Sequence, residues 1–110
     1  MLFIGIEDFY EKVGGIERIS REEEKALALA MKQGDRNAER ELVSSYLRTV
    51  AAHIRRAPTD LQTLNTVYVC IDALEKAVRK FNFLQDGEPF SHRLAWCMRQ
   101  CITRCIATKP

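Results

Sequence analysis

Helical periodicity runs through this sequence from one end to the other. Apolar residues return every three or four positions in segment after segment. Strand-type alternation is absent, and the prolines are confined to Pro58, Pro89 and Pro110. Such a pattern predicts amphipathic helices and little else, so the chain is read as all-α.

The punctuation between the periodic segments predicts where each helix starts and stops. Residues Ile6 to Val13 form a short amphipathic helix ending at Gly14-Gly15. Ser20, with Glu23 three residues on, forms a capping box for "REEEKALALAMKQG", and the acids of its first turn suit the positive end of the helix dipole. Gly34 ends that helix as a C-cap. Asp35 can cap the next, "RNAERELVSSYLRTVAAHIRRA", read as one helix with Leu42, Tyr46, Val50 and Ile54 on its apolar side. Pro58 and Thr59 break the chain, and Asp60 is the expected cap of a long helix from about Leu61 to Asn82. After the loop "FLQDGEPF", Ser91 opens the last helix. The expectation is one domain, residues 1–110, in which a short leading helix segment (1–19) precedes a core (20–110) of four main helices.

At 110 residues such a domain buries roughly two-thirds of the surface its unfolded chain exposes. It needs no disulfide or metal staple. Seventeen Lys and Arg against 15 Asp and Glu leave a net charge of +2. Its distribution says more than its sum. Residues 1–42 are rich in acids, whereas 86–110 hold Arg93, Arg99, Arg104 and Lys109 against Asp86 and Glu88. A basic C-terminal end points to a polyanion on one face. No stretch approaches the ~20 apolar residues of a membrane span. "MLFIGI" lacks the basic start and cleavage site of a signal peptide. The four cysteines are therefore expected as free thiols in a reducing cytoplasm.

The last helix, "FSHRLAWCMRQCITRCIA", carries the chemistry. With residues 100° apart, Leu94, Met98, Cys101, Ile102 and Cys105 fall within a sector of roughly 100°, the width of a core-facing stripe. Trp96, Gln100 and Thr103 gather on the opposite side, flanked by Arg99 and Arg104. An aromatic, an amide, a hydroxyl and guanidiniums are the groups that stack on bases, bond base edges and hold phosphates. The same pattern also describes a solvated polar face with one tryptophan tucked under a loop. Cys97, Cys101 and Cys105, with Cys70, supply four thiols. Structural zinc sites draw on C-x₂₋₄-C pairs held by turns rather than on successive helical turns. Neither metal nor other cofactor is expected. His53 and His92 lie on different helices, as surface or helix-end groups, and no Ser/His/Asp or Cys/His arrangement at interpretable spacing suggests an enzyme.

"FSHRLAWCMRQCITRCIA" resembles the promoter-melting segment of bacterial RNA polymerase sigma factors of the sigma-70 family, F-S-T-Y-A-x-W-W-I-R-Q-A-I-x-R-A-I. "ALEKAVRKFN" resembles the end of that family's long polymerase-binding helix, G-L-x-x-A-V-x-K-F-D. "SREEEKALALAMKQGDRNAERELVSSYLRTV" is similar to the stretch joining the family's first and second conserved regions. "IEDFYEKVGGI" resembles the short leading helix of the first. Together the blocks run from about Ile6 to Ala107.

The resemblance implies the helical fold of sigma-factor domain 2. One outer face docks on the clamp coiled coil of the polymerase's largest subunit; another reads the minus-ten promoter element and captures its unpaired strand. By position, Trp96 matches the first of two tryptophans at the upstream edge of the melted region. Gln100 and Thr103 match contacts to the first base pair of the element. Arg99 and Arg104 match backbone-contacting arginines, and Phe90 matches an aromatic at the segment's entrance. Arg93 replaces the tyrosine that stacks on a flipped adenine, and Cys97 replaces the second tryptophan. On the polymerase-binding helix the family's D-L-I-Q-E-G becomes "NTVYVC". Asn65, Tyr68 and Val69 thus replace an acid, an amide and an acid, while Asp72 and Glu75 remain on or near that face. Tyr68 and Val69 either pack on a neighbouring loop or remake the interface in more apolar form.

Two functions follow as expectations. One is a cytoplasmic transcription-initiation module that binds polymerase and minus-ten DNA, alone or with a second polypeptide supplying the family's later domains. The other is a non-initiating regulator that keeps the fold and engages an anti-sigma or other protein. The segment matching the melting helix runs almost to the chain's end, so either a truncated piece or a single-domain protein is expected, with Met1 and the "ATKP" end pointing to a natural short chain.

Overall fold

Every element among the described residues is a helix, and several boundaries have an identifiable cause. The computed structural model describes residues 2–85 and 87–108; Met1, Asp86, Lys109 and Pro110 lie outside the described residues. The order is α1 (Ile6–Gly14), α2 (Arg21–Lys32), α3 (Arg36–Ser45), α4 (Leu47–Arg55), a 3-10 turn (Thr59–Leu61), α5 (Leu64–Lys80) and α6 (Phe90–Ala107). No strand occurs among the described residues.

The Ser20 capping box is present in both directions. The Glu23 N–H donates to Ser20 Oγ at 3.1 Å, and the Ser20 N–H donates to Glu23 Oε1 at 3.3 Å. At the far end of α2, Gly34 adopts a φ of +94°, the left-handed region where glycine pays no Cβ penalty. The Gly34 and Asp35 N–H groups return to the carbonyls of Met31 and Ala30, each at 3.0 Å, closing a Schellman turn. Asp35 then starts α3, its Oδ1 accepting from the N–H groups of Asn37 (2.9 Å) and Ala38 (3.2 Å).

Two boundaries differ from expectation. The segment 36–57 is two helices, broken at Tyr46, where φ/ψ reach −104°/2°. Ser45 donates its hydroxyl back to the Leu42 carbonyl at 2.7 Å, offering the backbone a competing bond. Tyr46 donates its phenol to Glu24 of α2, which holds the kink from the side. The long helix begins at Leu64, because Asp60 is taken up in the 3-10 turn and Thr63 does the capping, its hydroxyl accepting from the Thr66 N–H at 3.4 Å. A smaller difference lies at α6, which starts one residue before Ser91, at Phe90.

The core draws on all of these helices. Phe9, Leu42, Val50, Ile54, Val67, Leu74, Val78, Leu94 and Met98 are fully enclosed, each stabilising the fold by about 1.5–3 kcal/mol. Helix α1 packs on α4, α2 on α3, and α5 packs on α3, α4 and α6, with its broadest contact to α6. Arg79 ties α5 to α3 through Glu39, Nε to Oε1 at 2.9 Å. The molecule measures 42 × 25 × 21 Å, and one side each of α5 and α6 is exposed to solvent.

Candidate nucleic-acid and protein interface

Core packing decides what α6 shows to solvent. Leu94, Met98 and Cys101 turn fully inward, Ile102 packs against the core, and Cys97 and Cys105 are half-buried beside them. The other side is left exposed: Arg93, Trp96, Arg99, Gln100, Thr103 and Arg104. Trp96 is 53 % exposed, a large amount for the one indole of the chain. The Thr103 hydroxyl donates to the Arg99 carbonyl at 2.8 Å, leaving its oxygen to accept. His92 opens the helix beside Glu88, Nδ1 to Oε1 at 4.0 Å.

Phe90 does not join this face. It is 2 % exposed and sits at the centre of an aromatic cluster, with Tyr46 at 4.8 Å, Phe83 at 4.9 Å and Phe81 at 5.1 Å between ring centroids. The cluster closes the bottom of the loop between α5 and α6, so Phe90 offers no ring to a base.

Next to Trp96 the same loop frames a cleft of about 660 Å³, with Lys80, Phe81, Asn82, Arg93 and Cys97 on its walls. Nothing local in the sequence marks Lys80 and Asn82 as site residues, because they belong to "RKFN" at the end of the preceding helix. Only the fold brings them into one cleft with Trp96. Helix α4 also reaches this side through His53, whose imidazole is held below the ordinary histidine range by burial first, then by the guanidiniums of Arg56 and Arg99.

The outer side of α5 is a second, separate surface. Asn65 and Asp72 are exposed, Tyr68 is 39 % and Val69 42 % exposed, and Glu75 is half-buried. Both acids hold cations on their own helix: Asp72 Oδ2 lies 3.0 Å from Lys76 Nζ, and Glu75 Oε2 lies 3.5 Å from Arg79. Tyr68 turns toward the N-terminal segment. Its hydroxyl accepts from the Phe3 N–H at 3.3 Å, and its ring stacks on Phe3 at 6.3 Å. Val69 has no such cover. With Glu39 and Val43 of α3, residues Tyr68, Ile71, Asp72 and Glu75 also line a groove of about 560 Å³.

Cys70 of α5 and Cys101 of α6 meet inside the core, sulfur to sulfur at 3.6 Å. No group of three or more His, Cys, Asp or Glu placed to hold a metal ion occurs among the described residues. No helix among them is long and apolar enough to cross a membrane.

No family model matches the chain. Among curated proteins it is similar to the RNA polymerase sigma factor SigA of Clostridium acetobutylicum, with 36% identity over 100 residues. That alignment takes in 90% of this chain and 26% of SigA, so the chain spans about a quarter of the length of the relative it matches. An all-helical chain with an exposed tryptophan–arginine face is thus similar, over nearly all its length, to part of a sigma factor.

Proposed function

We propose that the chain is a sigma-type transcription-initiation module, a single helical domain of the sigma-factor domain 2 kind. The outer side of α6 contacts minus-ten promoter DNA, and the outer side of α5 docks on the clamp coiled coil of RNA polymerase. The observation that carries this reading is the exposed row Arg93, Trp96, Arg99, Gln100, Thr103 and Arg104 on one side of α6. It joins a stacking ring to hydrogen-bonding groups and three permanent positive charges, which suits an unpaired strand. The neighbouring cleft, with Lys80 and Asn82 on its wall, has room for a base turned out of the stack. Phe90 serves this face from beneath, by fixing the start of α6.

On α5, Asp72 and Glu75 are the acids left for a basic partner, and Val69 adds an apolar contact. Tyr68 contributes from its edge while tethering Phe3. Similarity to SigA supports polymerase as that partner. The exposed Val69, where the family places an acid, favours a second reading in which α5 engages another protein, such as an anti-sigma factor. Calorimetry of the purified protein with the isolated clamp coiled coil separates the two. Micromolar or tighter binding supports the initiation module; no binding at a hundred micromolar sinks it.

A further inference from the structure

Four thiols lie on two helices, and two of them, Cys70 and Cys101, are buried away from the outer side of α6. Cys97, Cys101 and Cys105 occupy successive turns of α6, and Cys70 stands alone on α5. Neighbours four apart on a helix keep their Cβ atoms about 5–6 Å apart, whereas a disulfide needs roughly 3.5–4.5 Å. The three α6 cysteines therefore cannot pair with one another without unwinding the helix. Cys70 and Cys101 are under no such restriction. They come from different helices, both are buried, and their sulfurs already touch at 3.6 Å.

We propose that Cys70 and Cys101 form a reversible redox site, closing to a disulfide that staples α5 to α6 when the protein meets a hydroperoxide. In the first step the Cys101 thiolate attacks one peroxide oxygen and the O–O bond breaks. Hydroxide leaves and takes up a proton, giving a sulfenic acid and water. In the second, the Cys70 sulfur attacks the Cys101 sulfur, the S–O bond breaks, and hydroxide leaves with the Cys70 proton as a second water. Two thiols and hydrogen peroxide thus become one disulfide and two waters. A dithiol reductant reverses the reaction by exchange.

The surroundings set the order of events. The contact with Cys70 first, then Arg104 and the Cys105 thiol, favour the thiolate at Cys101 against the opposing effect of burial. The same contact, together with burial, pushes Cys70 up, so it keeps its proton until the second step. Peroxide chemistry at a cysteine requires both a thiolate and access, so the buried Cys101 meets the peroxide through local opening of the α5–α6 contact. The sulfurs must close by about 1.5 Å to reach a bond length of ~2.05 Å, a shift that the packing of α5 against α6 has to absorb. Intracellular disulfides of this kind are transient and sensing rather than structural. The bond would join the helix bearing Asp72 to the helix bearing Trp96.

The test treats the reduced, folded full chain with hydrogen peroxide, quenches with an alkylating agent and maps disulfide-linked peptides by mass spectrometry. The expected result is a link between the Cys70 and Cys101 peptides, loss of two alkylation sites, and full reversal by dithiothreitol. Cys97→Ser should form the same link at the parent's rate, and Cys105→Ser, which removes a thiol beside Cys101, should still form the same link. Both leave the pair intact and lie outside the buried core. If the link is absent, joins other cysteines, or appears only between chains, the proposal fails. Appearance of the link only after unfolding in urea overturns it equally.

Discussion

Phe90 meets Tyr46 edge to face, with ring centroids 4.8 Å apart and planes inclined by 66°. The pair joins the first residue of α6 to the break between α3 and α4. Through Tyr46 it also reaches Glu24 of α2. The start of α6 is therefore fixed by the core, six residues before the exposed indole of Trp96.

Two truncations on α6 should behave oppositely. Phe90→Ala removes a buried ring from a four-membered aromatic cluster and should destabilise the fold by about 3–5 kcal/mol. Trp96→Ala removes a side chain that is 53 % exposed and should change stability by less than about 1 kcal/mol. Urea unfolding followed by circular dichroism checks both. A large loss at Trp96 would mean the indole packs on the loop rather than standing free.

Binding to a fluorescent single-stranded minus-ten oligonucleotide should fall when Trp96 becomes alanine. A base–aromatic stack is worth about 1–3 kcal/mol, which is roughly a 5- to 150-fold loss of affinity. Gln100→Ala should weaken binding and relax preference at one position. Arg99→Ala and Arg104→Ala should weaken binding to all sequences alike. Each should make the salt dependence of log affinity shallower by about 0.7 per lost phosphate contact on a single strand. Titration of anisotropy at several salt concentrations measures both effects.

The helix ends and the facing of α6 were legible in the sequence because they rest on local rules. Ser20, Gly34 and Asp35 are caps whose partners lie within five residues, and they form as expected. The division of α6 into Leu94, Met98 and Cys101 inside and Trp96, Gln100 and Thr103 outside follows from 3.6-residue periodicity. What escaped depended on contacts remote in sequence. The break at Tyr46 needs Glu24 from α2, and the burial of Phe90 needs Tyr46, Phe81 and Phe83. The tether of Tyr68 to Phe3 spans 65 residues. Thr63 outcompeted Asp60 as a cap because the 3-10 turn at Thr59–Leu61 had already consumed that stretch of backbone.

On α5, charge should govern partner affinity. Asp72 is exposed and pairs with Lys76 of its own helix, so it can exchange that partner for a basic group on another protein. Asp72→Arg should weaken binding to the clamp coiled coil at least tenfold, because it places like charges together at the contact. Val69→Glu should strengthen binding and steepen its dependence on salt. Calorimetry at two salt concentrations reads both, and unchanged binding in Asp72→Arg would place the docking surface elsewhere.

Acid should loosen the fold through His53. Burial and the facing guanidiniums of Arg56 and Arg99 depress its affinity for a proton in the folded chain. The unfolded chain, with an ordinary histidine near pH 6.5, binds that proton more readily. The stability this group contributes is therefore complete above the unfolded value and is lost as the pH falls through the lower, folded one. Urea midpoints should decline from pH 6.5 toward pH 5, and His53→Gln should flatten that part of the profile. Exposed His92, beside Glu88, serves as the comparison: His92→Gln should leave the decline in place. If the two variants trace the same curve, the acid sensitivity resides in the carboxylates and not in the contact between α4 and α6.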